Sequence, residues 1–246
     1  MIKLNKISTD APKQMDKDEI KQKTKGVVAK IGDLCKIFQA DQSRSLLIVL
    51  QGMDASGKDG TCREVFKFVS PTIVHAHSFK KPTDEEFAHD FLWRAHKLTP
   101  GKGKITIFNR SHYEDVLIQR VHKWIDEDRV NSRIDAINAF ERNLQMDNNT
   151  TILKFYLHIS QDRQKEKLQE RIDLVNKNWK HNENDWKEAE KWDEYMDCYE
   201  DVINRSAIPW IIAPVDQRWY RNYFIAKKVL ETLESYDLSY PSLKGK

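Results

Sequence analysis

The sequence predicts an α/β protein: a parallel sheet of five strands covered by helices on both faces. Three observations carry that reading. Short apolar runs at residues 45–50, 72–76, 104–108, 152–158 and 210–213 have the length of buried strands. Helical patterns fill the intervals, and that alternation is the mark of a parallel sheet. The first run leads directly into a glycine-containing loop and then a helix, a common junction in such sheets.

Taken in order, a polar lead-in gives way to Ile20, Val27, Val28, Ile31, Leu34 and Ile37 at close to helical spacing. A helix is predicted over 16–40, making residues 1–44 an N-terminal helical extension. Leu46 to Leu50 form the first strand, and a helix opens at Lys58. Further helices are predicted over 84–97, 132–145 and 162–174. Residues 176–204 are strongly polar, rich in Trp and without a strand of their own. They read as an inserted helical lid which, with the end of the preceding helix, spans 171–204. The tail YDLSYPSLKGK is expected to fray. A chain of 246 residues suits one domain, 1–246.

The 41 Lys and Arg against 38 Asp and Glu leave a formal charge of +3, too near balance to prove a polyanion partner. No apolar run approaches the roughly 18 residues of a membrane span, so a soluble protein is expected. The N-terminus has no signal-peptide core, and its acidic residues argue against a transit peptide, so the expected location is the cytoplasm. Cys35, Cys62 and Cys198 have no paired or metal-ligand spacing and are assigned no chemistry.

Residues 52–58, GMDASGK, have the G-x-x-x-x-G-K spacing of a phosphate-binding loop, in the required strand-to-helix context. Gly52 and Gly57 let backbone N–H groups converge on phosphate oxygens, the helix end adds partial positive charge, and Lys58 can bridge a transferring phosphoryl group. Asp59 stands where such loops usually carry a Ser or Thr that holds magnesium. Asp54 is a second acid inside the loop. Two carboxylates beside bound phosphate repel unless they share a cation, so magnesium is implied. Read alone, Asp59 has the lesser alternative of a solvated acid in a first helical turn.

A second cluster, Asn109-Arg110-Ser111-His112-Tyr113-Glu114-Asp115, follows the strand KITIF at the carboxyl end where α/β sheets place ligands. Arg110 can neutralise phosphoryl charge and Asp115 can reach a metal. The alternative for Glu114 and Asp115 is a charged first helical turn.

Four motifs now stand in order: LQGMDASGKDG, FNRSHYEDVLI, the stretch ERI…KNWK…WKEAEKWDEYMDCYEDVI, and PWIIAPVDQRWYRNY. Together they resemble the second polyphosphate kinase family from about residue 16 to 233. The resemblance implies a P-loop kinase fold similar to thymidylate kinase, a parallel five-stranded sheet with a helical lid, and reversible phosphoryl transfer between inorganic polyphosphate and nucleotides. It implies Asp54, Lys58, Asp59, Arg110, Asp115 and the lid arginine Arg171 as the catalytic set. Asp54 and Asp115 are the implied ligands of Mg2+, with Mn2+ as a substitute. Glu114 replaces the Asn of ADP-only relatives, so the motif resembles the subgroup that accepts both AMP and ADP. Asn109 departs from the Asp of many members, which puts a metal role there in doubt.

Gly52, Gly57, Phe79, Arg94 and Glu114 are the expected nucleotide contacts, although an aromatic such as Phe79 is equally at home in a core. Polyphosphate carries about one charge per phosphate and needs a basic path. Ser56, Lys58, Gly60, Thr61, Arg63, Lys67, Arg120 and Arg133 are assigned to it, with Lys80 and Lys81 nearby. Singly, each of these cations, like Arg171, also reads as a solvated side chain. The expected partners are polyphosphate and adenine nucleotides, with guanine nucleotides as a further option, in a homo-oligomer of two or four chains. No nucleic acid or membrane partner is expected. The rival readings are an ATP-dependent nucleoside monophosphate kinase, weakened by Asp59, and a non-enzymatic polyanion-binding protein.

Overall fold

Five strands carry the sheet: β1 (Ser45–Gln51), β2 (Val74–Ser78), β3 (Ile105–Asn109), β4 (Thr150–His158) and β5 (Trp210–Pro214). They lie in the order β2-β3-β1-β4-β5, and every neighbouring pair is parallel. The computed structural model describes residues 1–243; residues 244–246, which end the tail expected to fray and the expected domain 1–246, lie outside the described residues. All seven residues of β1 are buried, as a central strand covered on both faces demands. From β1 the chain runs to β2 and β3 on one side of it and then crosses from β3 to β4 and β5 on the other. The carboxyl end of β1 is therefore the switch point where such sheets open a ligand crevice.

Helices α1 (Lys17–Asp41), α2 (Lys58–Val65), α3 (Asp84–Phe87), α4 (Trp93–His96), α5 (Glu114–Val121), α6 (Glu127–Asn148), α7 (Gln161–Asp173), α8 (Glu183–Glu190), α9 (Trp192–Arg205) and α10 (Arg218–Glu234) flank the sheet. Asp16 caps α1 by accepting from the N–H groups of Asp18 and Glu19. Helix α1 packs along α10, while α5, α6 and α9 form a second group, with α6 against β4. Among the described residues no helix is long and apolar enough to cross a membrane.

Three of the departures from expectation have local reasons. The helix predicted over 84–97 is two short ones, because Asp90 Oδ1 accepts from the Leu92 N–H at 2.9 Å and draws the backbone into a turn. Strand β2 starts two residues later than predicted, since the N–H groups of Ile73 and Val74 close a turn onto the Ser70 carbonyl. The region expected as one lid, 171–204, divides. Residues 175–190, a 3-10 turn (Val175–Lys180) followed by α8, are largely exposed, but α9 buries Tyr195, Cys198, Tyr199, Val202 and Ile203 in the core. Those five positions make one helical stripe that a polar average conceals. The N-terminal extension is likewise integral: Leu4 is buried, and His158 Nε2 lies 3.1 Å from the carbonyl oxygens of both Leu4 and Ile7.

Candidate active site

The loop between β1 and α2 is shaped by two glycines. Gly52 has φ +150°, and a Cβ there would stand 2.7 Å from the Leu157 carbonyl oxygen. Gly57 has φ +96°, and a Cβ there would lie 1.8 Å from a guanidinium nitrogen of Arg221. Both positions need Gly for backbone conformation and for space. Lys58 is buried, and its ammonium donates to the carbonyls of Gly52 (2.6 Å) and Met53 (3.1 Å) and, among the described residues, to no carboxylate. Burial first, and the Arg110 charge second, pull its pKa down to about 8. Ser56 Oγ is buried in the same loop without a hydrogen-bond partner among the described residues. Thr61 Oγ1 donates to the Gly57 carbonyl at 3.2 Å, tying α2 to the loop.

The loop faces a cavity of about 670 Å³ lined by ten basic side chains and three acidic ones, Asp54, Asp59 and Glu170. That imbalance suits a polyanion and would repel a cationic ligand. The cavity draws together Asp54, Gly57, Lys58, Asp59, Gly60, Arg63, Phe79, Lys80, Arg110 and Arg171. Arg110 follows β3 with φ +60°, an uncommon conformation for a non-glycine residue and one found preferentially at functional sites. It pairs with Asp54 and, at 3.4 Å, with Glu114. Glu114, together with Asp54, raises its pKa against the effect of burial. The Asn109 amide donates to Asp59 at 2.7 Å, so this position supplies a donor rather than a metal ligand. Burial pushes the Asp59 carboxyl up, but Asn109 and Lys180 more than offset it and hold its pKa below the ordinary value.

The model of the family Polyphosphate kinase 2 matches residues 14–240. This chain belongs to that family. It is 44% identical over 211 residues to the AMP/ADP-polyphosphate phosphotransferase of Meiothermus ruber, covering 85% of this chain and 79% of that one. It is 37% identical over 229 residues to the ADP-polyphosphate phosphotransferase of Rhodopseudomonas palustris, covering 87% and 79%. The crystal structure of Polyphosphate Kinase 2 from Arthrobacter aurescens TC1 superimposes with a TM-score of 0.96 at 35% identity, over all of this chain and 89% of that one.

In this family member, several residues expected at the site are held elsewhere. The carboxylate of Asp115, expected on a metal with Asp54, is buried against Arg94 (2.8 Å) and Gln119 (3.1 Å), because burial demands a cationic partner and Arg94 supplies it. Arg94, expected on the nucleotide, is thereby a brace that also donates to the Lys80 carbonyl at 2.9 Å. Arg120 is chelated by Glu127 and Asp201, and Arg133 by the Asp115 carbonyl and Gln119, both away from the cavity. Lys67 is exposed beside the Phe68 ring, and neither it nor Lys81 lines the cavity. Phe79 borders the cavity but is buried edge-on against Phe108, with ring centroids 4.8 Å apart.

Sequence reasoning passed over Arg218 and Arg221. They sit one turn apart on α10 within the quoted stretch DQRWYRNY, and that spacing, which puts two cations on one helix face, was the available signal. Arg221 is 5% exposed and donates only to the neighbouring Asn222 side chain; among the described residues no carboxylate pairs with it. Burial, then Arg218, lowers its pKa to about 10. Its guanidinium lies over Gly57 and Gly60 at the start of α2. Lys167, Lys177 and Lys180 complete the basic wall from α7 and the turn after it, with Lys180 3.5 Å from Asp59.

Proposed function

We propose that this chain transfers phosphoryl groups reversibly between inorganic polyphosphate and both AMP and ADP. The observation that carries the reading is a pair of buried cations on the phosphate loop, Lys58 and Arg221, with no carboxylate partner among the described residues. An uncompensated buried charge is costly unless an anion arrives to satisfy it. The names of the Meiothermus and Rhodopseudomonas relatives support polyphosphate as that anion and adenine nucleotides as acceptors.

In this reading an oxygen of the acceptor phosphate attacks the terminal phosphorus of polyphosphate. The P–O–P bridge breaks, the shortened chain leaves with the bridging electron pair, and no covalent intermediate with the protein forms. Lys58 exchanges the Gly52 and Met53 carbonyls for phosphate oxygens, while Arg110 and Arg221 absorb charge that builds up in transfer. The acceptor oxygen is already anionic, so Asp54 orients rather than deprotonates it.

A divalent cation, Mg2+ with Mn2+ as substitute, fits the donor set in part. Such ions take one or two carboxylates plus phosphate oxygens and water. Asp54 and Asp59 line the cavity beside Lys58, whereas the Asp115 carboxylate is spent on Arg94. When bound, the ion would neutralise phosphate charge. A homo-oligomer of two or four chains and a cytoplasmic location are part of the same proposal.

The test is AMP, and then ADP, incubated with long-chain polyphosphate and Mg2+ without ATP. Formation of ADP and ATP, abolished by EDTA, is expected. Turnover only with ATP would indicate a nucleoside monophosphate kinase, and binding without turnover a polyanion-binding protein.

A further inference from the structure

Beneath the second motif lies a polar cluster whose centre is buried and which has no part in the chemistry above. Lys154 on β4 and Glu141 on α6 are each fully buried and pair at 2.6 Å. Lys154 also donates to the Tyr113 hydroxyl at 2.8 Å, and that hydroxyl donates to the other Glu141 oxygen at 2.9 Å. Ser206, at the end of α9, lies 3.3 Å from the same hydroxyl. His112, wholly buried, stands 3.5 Å from Glu141. Burial pushes the Glu141 carboxyl up, but His112 and Lys154 outweigh it and keep it below its ordinary value.

Stability gives this cluster no reason to exist, because buried ion pairs replaced by apolar side chains of similar volume are often as stable or more so. Its placement gives one. Tyr113 and His112 lie between Arg110 and Glu114 in a turn that is also held from outside by Gln51, donating to Ser111 Oγ at 3.0 Å, and by the Leu50 carbonyl, which accepts from the Arg110 N–H at 3.0 Å. We propose that Glu141 and Lys154 are positioning residues for phosphoryl transfer, which grip the Tyr113 hydroxyl, with His112 packed beside Glu141, and so fix the turn that aims Arg110 at Asp54 and seats Glu114 behind it. The inference rests on the proposed function, since it gives Arg110 and Glu114 work on phosphate.

The experiment compares Lys154→Met, Glu141→Leu and the double variant. Each single change strands one buried charge and lowers Tm. The double variant strands none, and its Tm returns to that of the wild type or above. Its kcat with polyphosphate and AMP nevertheless stays down ~10-fold or more, the usual scale when a side chain that orients an active group is lost, while KM for polyphosphate stays within about twofold. Amides of Glu114 and Asp115, bonded to the carbonyls of Ser111 and His112, exchange faster with deuterium in the double variant. A double variant with restored Tm, wild-type kcat and unchanged exchange overturns the inference while leaving the function intact. A wild-type chain with no polyphosphate-dependent turnover overturns the function and, with it, the inference. Should the double variant not fold, Tyr113→Phe decides: a several-fold fall in kcat at wild-type Tm supports the grip, and unchanged kcat refutes it.

Discussion

Two groups of cations flank the second motif, and they are alike in the sequence and opposite in the structure. On the β1–α10 side, Lys58 and Arg221 are buried, and among the described residues their hydrogen bonds go only to backbone carbonyls or a neighbouring amide. On the α4–α6 side, Arg94 is closed by Asp115 and Arg120 by Glu127 and Asp201. The second group holds the scaffold and the first awaits a ligand. Residue type does not separate them; the state of pairing does, because a cation already satisfied gains little from a phosphate, whereas an unsatisfied buried one gains much.

The contrast breaks if the paired group turns out to bind substrate. Arg94→Leu leaves Asp115 buried without its partner and should cost about 3–5 kcal/mol of stability in urea unfolding. Polyphosphate affinity of the folded fraction should stay unchanged. Lys58→Ala should keep the fold, checked by circular dichroism, and lose about 10²- to 10³-fold in kcat, the share of a principal electrostatic contact to the transferring group. Near-wild-type turnover would place the chemistry elsewhere.

Acidity sharpens the same point. The ammonium is the working form of Lys58, and its pKa in the free protein is lowered to about 8, so kcat/KM for polyphosphate should fall about tenfold per pH unit above that value. Bound phosphate favours the ammonium and shifts its loss upward, so kcat should hold to higher pH than kcat/KM. Coincident profiles would show that Lys58 does not meet the donor. Glu114→Asn releases one carboxylate from Arg110 and should depress AMP phosphorylation ~10-fold, about 1.4 kcal/mol, with a smaller effect on ADP. Equal losses would assign Glu114 to the shared chemistry instead.

Much of the fold and part of the site were legible in the sequence, for separable reasons. The loop could be read because Gly52, Gly57 and Lys58 act through local backbone geometry, which spacing records. The central strand could be read because burial on both faces leaves an unbroken apolar run. The fate of Asp115 could not, since its partner Arg94 lies 21 residues away, beyond a segment that breaks at Asp90 into two short helices. Arg221 escaped because nothing in α10 says which helix it covers; only the packing of α10 against α2 lays it over Gly57. Helix α9 was hidden by its polar face, although its apolar stripe was present in the spacing.

The central claim, that the unpaired cations mark the path of the phosphate chain, is tested most directly by calorimetric titration of long-chain polyphosphate into Arg221→Met and Arg120→Met. Loss of a charge-assisted contact should weaken binding to the first about tenfold or more. Arg120→Met should bind as the wild type does, because its guanidinium is already committed to Glu127 and Asp201. Equal weakening of the two, or weakening of Arg120→Met alone, would contradict the account.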